Sequence, residues 1–246
     1  MQNVAVSIVS HGHGEMVNAV VNQLLLLPEV GQVILTRNIP EQTSFVRDPR
    51  VQVIENTIPM GFGANHNAAF KLCRLPFYCV LNPDIVLQHN PFPTLIGCLS
   101  DDRTKLSAPC VTAPDGILED SARYFPDLRS LLRKALGGDD GRYQIGSNLQ
   151  PFPVDWVAGM FMLFKADTFR AVGGFDEKFF LYYEDVDICA RLWRTGASVS
   201  VCPSVQVIHD ARRASRTNSR YMRWHAASML RYFVKHWWRL PRKHAN

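Results

Sequence analysis

Residues 51–84, VQVIENTIPMGFGANHNAAFKLCRLPFYCVLNPD, contain the pattern that decides the fold. Val51–Glu55 is a short apolar run, which predicts a strand. A glycine-rich turn at 61–67 follows and opens a predicted helix. Phe77–Leu81 predicts a second strand, which must end at Pro83 because proline cannot extend a central ladder. A strand, a helix and a strand in this order indicate a βαβ unit.

The same alternation extends to both sides of this unit. On the amino-terminal side, Val4–Ser10 and residues 32–36 predict strands, and residues 17–27 between them have helical spacing. Beyond about residue 105, turn-rich segments separate short apolar runs. In that half we predict strands at Phe161–Lys165, 198–202 and 205–209 and a helix at 185–194. The pattern predicts an α/β fold with a mostly parallel sheet and ligands at the carboxyl ends of its strands.

Composition limits the class of protein. The chain has 246 residues, 47% of them hydrophobic, which is enough for a packed core and not typical of disorder. The amino-terminal residues lack a basic leader, and no apolar run approaches the roughly 20 residues of a spanning helix. The six cysteines form no C-x-x-C pair, so we expect buried, reduced thiols. The expected location is the cytoplasm, with peripheral attachment to the inner face of the membrane as an alternative.

The charge is distributed unevenly along the chain. Residues 211–246 contain ten Lys or Arg and no Asp or Glu, so the other 17 of the 27 basic side chains share residues 1–210 with all 22 acidic ones. Apolar side chains in the tail fall at helical spacing, at Met222, Ala226, Met229, Phe233 and Trp237. A basic amphipathic helix suits an anionic membrane surface, contacted by residues 212–246. A helix packed on the body with a solvated basic face is an alternative; we do not expect nucleic acid as partner.

A carboxylate and an imidazole follow two predicted strands. Asp84 closes the segment Asn82-Pro83-Asp84 at the edge of the sheet where ligands bind. Mg²⁺ and Mn²⁺ prefer such oxygen ligands and share them with phosphates. His209 would complete a carboxylate-and-imidazole site if the fold brings it to Asp84. Taken alone, each residue is better explained structurally, Asp84 by an Asn-Pro-Asp turn and His209 by a structural histidine at a strand end.

Three carboxylates, Glu184, Asp185 and Asp187, lie within four residues at the start of a predicted helix. Acids in a first turn complement the helix dipole, each contributing ~0.3–1 kcal/mol, and Asp187 can pair with Arg191. Alternatively, one carboxylate is held beside an acceptor hydroxyl as a general base, because burial and like charges would raise its pKa. Tyr183 and the aromatic residues before it would then form the apolar wall for a sugar.

The glycine-rich turn at 61–67 has two explanations. Its spacing resembles a loop in which backbone amides approach a phosphate at a helix N-terminus. It lacks the full dinucleotide fingerprint and the Walker lysine. An ordinary helix start with glycine in the turn accounts for it equally well.

Together these segments resemble family 2 glycosyltransferases of the GT-A fold, particularly bacterial rhamnosyltransferase-like members. The resemblance spans residues 4–210 and is most specific over 154–196, VDWVAGMFMLFKADTFRAVGGFDEKFFLYYEDVDICARLWRTG. This run is similar to the family's V-x-G, G-G-F-D-E, F-F-x-Y-x-E-D-x-D and R-x-x-x-x-G motifs. GFGANHN and LNPD precede it in the family's order.

The resemblance implies a domain organisation and a fold. It implies one GT-A catalytic domain over 1–210, with a Rossmann-like, mostly parallel sheet flanked by helices. Residues 1–110 would form the nucleotide-sugar-binding half and residues 111–210 the acceptor-binding half. A basic, amphipathic C-terminal helical tail at 211–246 would follow.

The resemblance also implies a role for each matching residue. Asp84 matches the last Asp of the metal-binding motif, and His209 matches a His that completes the metal site in some relatives. Asp185 matches the base, and Glu184 matches the acid that orients it or contacts the acceptor. We predict donor-binding residues at Ser10, Asn38, Gly61, Asn67 and Asn82, where Asn82 replaces the first Asp of the metal motif. We predict acceptor-binding residues at Trp156, Gly159 and Tyr183.

One departure from the family concerns the nucleobase. The family has an Asp-x-x-Ser segment after the second strand, where Asp contacts the base. Here the sequence is Thr36-Arg37-Asn38-Ile39-Pro40, which has no acid. Asn38 could hydrogen-bond a pyrimidine through both of its amide functions.

The reaction implied by the resemblance is an inverting single displacement. A divalent cation, Mg²⁺ or Mn²⁺, would neutralise the leaving nucleoside diphosphate, while Asp185 accepts the proton of the acceptor hydroxyl. The donor would be dTDP-L-rhamnose, with UDP-hexoses next, and the acceptor a glycan or lipid-linked saccharide. We also expect removal of residues after Arg212 to weaken liposome binding without affecting donor hydrolysis.

Two rival functions are a sugar-nucleotidyltransferase and a catalytically degenerate protein that binds sugars or nucleic acid. The loop at residues 11–14 lacks the Lys and Arg that a nucleotidyltransferase signature needs. The basic tail and the altered base-contact segment favour the degenerate protein, whereas Asp84 and the pair Glu184 and Asp185 argue against it.

Overall fold

One mixed sheet dominates the structure, a computed structural model that describes residues 2–127, 137, 141–146, 148–210 and 219–236. Its strands in chain order are β1 (Val4–Ser10), β2 (Val30–Arg37), β3 (Val51–Glu55), β4 (Phe77–Leu81), β5 (Ile85–Val86), β6 (Thr104–Thr112), β8 (Phe152–Val154), β10 (Phe161–Lys165) and β11 (Ser198–His209). A separate two-stranded sheet pairs β7 (Ala122–Arg123) with β9 (Trp156–Val157). The helices are α1 (Glu15–Leu25), α2 (Phe62–Phe70), α3 (Phe92–Cys98), α4 (Ala166–Ala171), α5 (Glu184–Arg194) and α6 (Ser219–His236).

The sheet has the predicted α/β arrangement. Its order is β3-β2-β1-β4-β10-β6-β11-β5, with β8 pairing beside β11. The strands β1 to β4 are parallel, β10 is antiparallel to its two neighbours, and β6 and β11 are parallel. The described strands therefore run mostly in one direction. The strands predicted at 4–10, 51–55, 77–81 and 161–165 lie at those residues.

Both faces of the sheet are buried, which explains why its strands read as continuous apolar runs. Along β4, Tyr78 and Val80 face one hydrophobic cluster, and Cys79 and Leu81 face the other. Helices α2, α4, α5 and α6 contribute to the first cluster, and α1 and α3 to the second. All six cysteines have free thiols; five of them are buried and Cys98 is partly exposed.

Proline accounts for two differences from the predicted elements. Strand β6 was not predicted, since Pro109 interrupts its apolar run, and β10 pairs only with the segment before that residue. Strand β11 was predicted as two strands. It is continuous, but its register against β6 shifts between Cys202 and Gln206, around Pro203, which has no N–H for the ladder. The boundary predicted at 110/111 lies inside β6, so the two halves share one sheet.

The tail helix α6 packs on the body, which was the alternative to the membrane-facing prediction. Tyr232, Phe233 and His236 are buried, and Met229 packs against the core. Of the apolar face predicted from spacing, Phe233 and Met229 thus point inward, Met222 is exposed, and Trp237 lies outside the described residues. In the described part of the chain, none of the helices has the length and apolar character needed to cross a membrane.

Candidate active site

Asp84 and His209 meet at the carboxyl edge of the sheet, as predicted. The short strand β5 runs antiparallel to the end of β11 and pairs Ile85 with His209. The backbone N–H of Asp210 donates to the carbonyl of Asp84 at 2.9 Å. As a result, His209 Nε2 lies 3.2 Å from Asp84 Oδ2. The other oxygen, Asp84 Oδ1, is buried and has no hydrogen-bond partner among the described residues.

Glu119 is a third member of this group that the sequence did not reveal. Its Oε2 lies 2.7 Å from His209 Nδ1, on the opposite side of the ring from Asp84. Burial lowers the pKa of His209, but the hydrogen bonds and charges of Asp84 and Glu119 outweigh burial and raise it to about 9. Glu119 follows a turn and belongs to no periodic pattern. The backbone bond from its N–H to the carbonyl of Val111, at 2.7 Å, brings it back beside β6.

The donor set at this edge fits a divalent cation. Asp84 offers a buried carboxylate oxygen without a partner, and His209 Nε2, 3.2 Å from the other oxygen, would ligate the ion once the ion displaces its proton. A carboxylate on the far nitrogen of a metal-binding histidine fixes the ring's tautomer and orientation, and Glu119 lies in that position. No group of three His, Cys, Asp or Glu that could hold a metal was found in the parts of the chain that the structure describes. Mg²⁺ and Mn²⁺ commonly complete such a shell with substrate phosphates and water.

Asp185 and Glu184 lie at the start of α5, but their environments differ. Asp185 Oδ2 accepts the backbone N–H of Gly159 at 3.0 Å, and Oδ1 accepts that of Val186 at 2.8 Å. Burial raises the pKa of Asp185, and these two hydrogen bonds oppose the rise. Glu184 is more deeply buried, and within the described residues its Oε2 has no hydrogen-bond partner. Burial and the charge of Asp185 raise the pKa of Glu184 well above its usual value.

The segment containing Gly159 and Met160 connects the two acidic sites. The carbonyl of Met160 accepts the backbone N–H of Asn82 at 2.9 Å, and the N–H of Gly159 holds Asp185. Asn82 therefore lies beside Met160, which precedes β10 directly and follows the residue that binds Asp185. A Cβ at Gly159 would lie 3.1 Å from the Phe62 ring, so this close approach favours glycine. The predicted acceptor residue Gly159 is thus brought to Asp185.

The side chain of Asn38 is already fully engaged, which contradicts its predicted contact with a pyrimidine. Its Oδ1 accepts Asn56 Nδ2 and the Met60 N–H, both at 2.8 Å, and its Nδ2 donates to the Met60 carbonyl at 2.9 Å. These bonds hold the turn before α2 against the end of β2. Ser10, at the end of β1, is buried and accepts the Asn38 N–H with its carbonyl at 2.8 Å.

The glycine-rich turn contacts protein backbone where a phosphate was considered. A Cβ at Gly61 would lie 2.6 Å from the Phe180 carbonyl oxygen, and the first N–H of α2, from Phe62, donates to that oxygen at 2.9 Å. Asn67 was predicted to line the donor pocket. Its amide instead donates to the Phe175 carbonyl at 2.8 Å and accepts the Phe175 N–H at 2.9 Å. The turn therefore holds the loops that precede Glu184.

The remaining predicted acceptor residues lie on two different elements. Trp156 is on β9, where its indole N–H donates to the Tyr124 carbonyl at 3.0 Å. Tyr183 precedes Glu184 directly and has a left-handed backbone with φ 67°. Burial raises the pKa of Tyr183 to about 12. The structure brings Tyr183 and Gly159 to Asp185, whereas the Trp156 indole N–H binds the backbone of the small sheet.

Sequence comparison finds glycosyltransferases. A family model described as the N-terminal domain of galactosyltransferase matches residues 149–216. The chain is 28% identical to the rhamnosyltransferase WbbL of Escherichia coli strain K12, over 94% of this chain and 93% of that protein. It is 32% identical to an N-acetylglucosaminyl-diphospho-decaprenol L-rhamnosyltransferase of Mycobacterium tuberculosis strain CDC 1551 / Oshkosh, over 81% of this chain and 73% of that protein.

Structural comparison finds the GT-A fold. GalNAc-T7, solved with UDP, GalNAc and Mn²⁺, superposes with a TM-score of 0.69 at 15% identity. The mannosyltransferase PcManGT from Pyrobaculum calidifontis, solved with GDP-Man and Mn²⁺, superposes with a TM-score of 0.63 at 14% identity. Each superposition covers 95% of this chain but only 48% and 63% of the other chains, respectively. At such low identity the likeness establishes the fold alone.

Proposed function

This chain belongs to the rhamnosyltransferase-like glycosyltransferases of family 2, and on that premise we propose that it transfers L-rhamnose from dTDP-L-rhamnose with inversion. The acceptor class is a glycan or a lipid-linked saccharide. Two relatives named as rhamnosyltransferases, which match most of the chain, support this donor. The name of the mycobacterial relative includes a polyprenyl diphosphate sugar, which supports a lipid-linked acceptor.

The observation that carries the proposed mechanism is the placement of Asp185. The Gly159 amide holds its carboxylate, and the next residue, Met160, is bonded to Asn82 beside Asp84. Two backbone N–H groups stabilise the charged form of Asp185, whereas Glu184 is buried and its Oε2 has no hydrogen-bond partner among the described residues. We therefore assign Asp185, the less buried of the two, as the carboxylate that accepts the proton.

The proposed displacement forms one bond to the anomeric carbon and breaks another. The acceptor hydroxyl oxygen bonds to the anomeric carbon and gives its proton to Asp185, while the bond from that carbon to the diphosphate oxygen breaks. A single displacement through an oxocarbenium-like transition state inverts the anomeric configuration. Asp84 and His209 would hold a divalent cation, whose chemistry is to neutralise charge on the leaving diphosphate. The solved neighbours that contain Mn²⁺ support a cation of this kind.

The nucleotidyltransferase alternative receives no support from the loop at residues 11–14. The N–H groups of Gly12 and Gly14 face the carboxylate of Glu41, at 3.4 and 3.2 Å. A carboxylate in that place would repel a phosphate. The leaving group distinguishes the two reactions, because a nucleotidyltransferase releases pyrophosphate and a glycosyltransferase releases the nucleoside diphosphate.

The proposed donor and stereochemistry are tested by turnover with a panel of nucleotide sugars and Mn²⁺. We expect release of dTDP from dTDP-L-rhamnose in the presence of a polyprenyl diphosphate sugar, with UDP-hexoses slower. Nuclear magnetic resonance of the product should show the anomeric configuration opposite to that of the donor. Pyrophosphate release, or a product with retained configuration, would contradict the proposal.

We also propose an anionic membrane surface as a partner of α6, through a face that shares only Met222 with the predicted one. Met222, Leu230 and Val234 are 65%, 66% and 73% exposed on the side of α6 that faces away from the body. Arg220, Arg223 and Arg231 lie along the same side, and the helix has no acidic residue. An apolar stripe flanked by arginines is complementary to acyl chains and anionic headgroups.

Vesicle sedimentation tests this surface. The variant Leu230→Glu/Val234→Glu should bind phosphatidylglycerol vesicles about tenfold more weakly than the wild type. Leu26→Glu, which changes an 83% exposed leucine at the end of α1, should bind normally. Equal binding by the wild type and the Glu variant would contradict the membrane partner. The membrane partner would also be contradicted if the wild type were a dimer in lipid-free solution and the Glu variant a monomer. A second copy of the chain would then cover the stripe.

A further inference from the structure

The residues directly before Glu184 have an unusual backbone. Tyr182 and Tyr183 both have positive φ angles, 70° and 67°, and they are the only residues other than glycine with this property in the described chain. A left-handed backbone at a residue with a side chain costs free energy and persists only where surrounding contacts hold it. Because Tyr183 is the N-cap of α5, its conformation sets the direction in which α5 begins and hence the place of Asp185.

Helix α6 supplies contacts that hold this segment. The hydroxyl of Ser228, which is buried, donates to the Leu181 carbonyl at 2.9 Å. The ring of His225 packs against both tyrosine rings, 5.3 Å from that of Tyr182 and 5.4 Å from that of Tyr183. The ring of Trp224 lies 4.7 Å from that of Phe180. Every residue from Phe180 to Tyr183 therefore touches the inner face of α6.

A second contact lies just after the acid pair, at Asp187. This carboxylate is fully buried and accepts two hydrogen bonds from the end of α6. Its Oδ1 lies 2.8 Å from His236 Nε2 and 2.7 Å from Lys235 Nζ. The guanidinium of Arg194 can only donate, and it contacts His236 Nδ1, so Nε2 carries the hydrogen that Asp187 accepts. Burial would raise the pKa of Asp187, but these bonds and the charge of Arg191 hold it below its usual value.

We propose that α6 is a positioning element of the active site, which holds Leu181 through Ser228 and Asp187 through His236 and thereby sets the place of Asp185. The inference rests on the proposed role of Asp185 as the base. It revises the expectation that removal of the tail leaves donor hydrolysis unchanged.

The pair Ser228→Ala and Ala227→Ser tests the first contact. Ser228→Ala removes one hydrogen bond, so we expect kcat to fall about two- to tenfold with the donor KM unchanged. The unfolding midpoint should fall only slightly, because the higher helix propensity of alanine offsets part of the stability lost with the hydrogen bond. Ala227→Ser reverses the change on the exposed side, lowers helix propensity and should keep the wild-type kcat. Hydrogen exchange at residues 180–187 should be faster in Ser228→Ala alone.

Two results would overturn the proposal. One is an equal kcat and equal exchange at residues 180–187 in both variants. The other is a fall of kcat in Ser228→Ala that merely follows the folded fraction, with faster exchange throughout the chain.

The contact at Asp187 has its own test. His236→Ala removes the donor to Asp187, whereas His236→Gln keeps both an N–H donor and an acceptor. We expect His236→Gln to restore the greater part of the kcat lost in His236→Ala. Equal losses in the two variants would contradict a positioning hydrogen bond.

The variant Asp185→Asn separates this inference from the proposed function. Full turnover by Asp185→Asn would refute the base itself. An inactive Asp185→Asn combined with a wild-type Ser228→Ala would refute only the role of α6.

Discussion

Gly61 offers the clearest distinction between a phosphate-binding turn and a structural one. In Gly61→Ala the new Cβ would lie 2.6 Å from the Phe180 carbonyl oxygen and 2.9 Å from the Phe180 Cα. Both are backbone atoms, so no side-chain rotation relieves the overlap, although the φ of −67° at this position suits alanine. The two segments must separate, which costs about 1–3 kcal/mol for overpacking and about 0.5–1.5 kcal/mol for the bond from the Phe62 N–H. We expect the free energy of unfolding to fall by about 1.5–4.5 kcal/mol.

Urea unfolding and donor calorimetry together test this reasoning. Gly97→Ala, within α3, is the matched control, because a Cβ at Gly97 would meet no other atom within 4 Å. This substitution should stabilise the protein by roughly 0.5–1 kcal/mol. Below the unfolding midpoint, Gly61→Ala should bind the nucleotide sugar with near wild-type affinity, while kcat falls because Phe180 leads to the catalytic acids. Wild-type stability combined with a large loss of donor affinity would refute the structural explanation and restore the phosphate-binding one.

Two further predictions follow from buried polar groups. Glu119→Ala removes the carboxylate beside His209 Nδ1, so we expect its affinity for Mn²⁺, measured by electron paramagnetic resonance, to fall about tenfold. Asp115→Ala, a change in the same turn, should keep the wild-type affinity. Equal affinity in the two variants would exclude a role of Glu119 at the metal edge. Burial lowers the pKa of His66 to about 3, so the unfolded chain binds a proton there from about pH 6.5 downward while the folded chain does not. The free energy of unfolding should therefore fall on acidification between about pH 6.5 and 3. His66→Gln, whose amide can keep a hydrogen bond to Ser7, should make the free energy of unfolding less dependent on pH in denaturation curves. An unchanged pH dependence in this variant would show that His66 is not the cause.

The strands of the amino-terminal half could be predicted because both faces of the sheet are buried. Their apolar runs are continuous, and glycine or proline marks their ends, as at Pro83 after β4. Strand β6 lacked this signal, since Pro109 lies within it and it depends on pairing with β10 and β11, which are distant in the chain. The pairing of Asp84 with His209 was predictable from two strand ends at one edge of a sheet.

The site residues that sequence reasoning missed are those whose role depends on distant backbone. Glu119 reaches His209 through a turn that has no periodicity, and Ser228 acts on the carbonyl of Leu181. For Asn38 and Asn67 the residue type was compatible with a ligand contact, but both amides bind backbone groups that no local pattern reveals. Nothing in a sequence marks two consecutive left-handed tyrosines, and their contacts with His225 and Ser228 come from the distant helix α6.

The base assignment is tested most directly by the turnover of Asp185→Asn, with donor affinity measured by calorimetry on the same preparation. We expect kcat to fall by roughly 10²–10⁴-fold with the donor Kd unchanged, because the amide keeps the shape of the carboxylate but cannot accept the proton. Asp167→Asn, which changes an exposed acid in the first turn of α4, should retain full activity. A kcat of Asp185→Asn within tenfold of the wild type would contradict the assignment of Asp185 as the base.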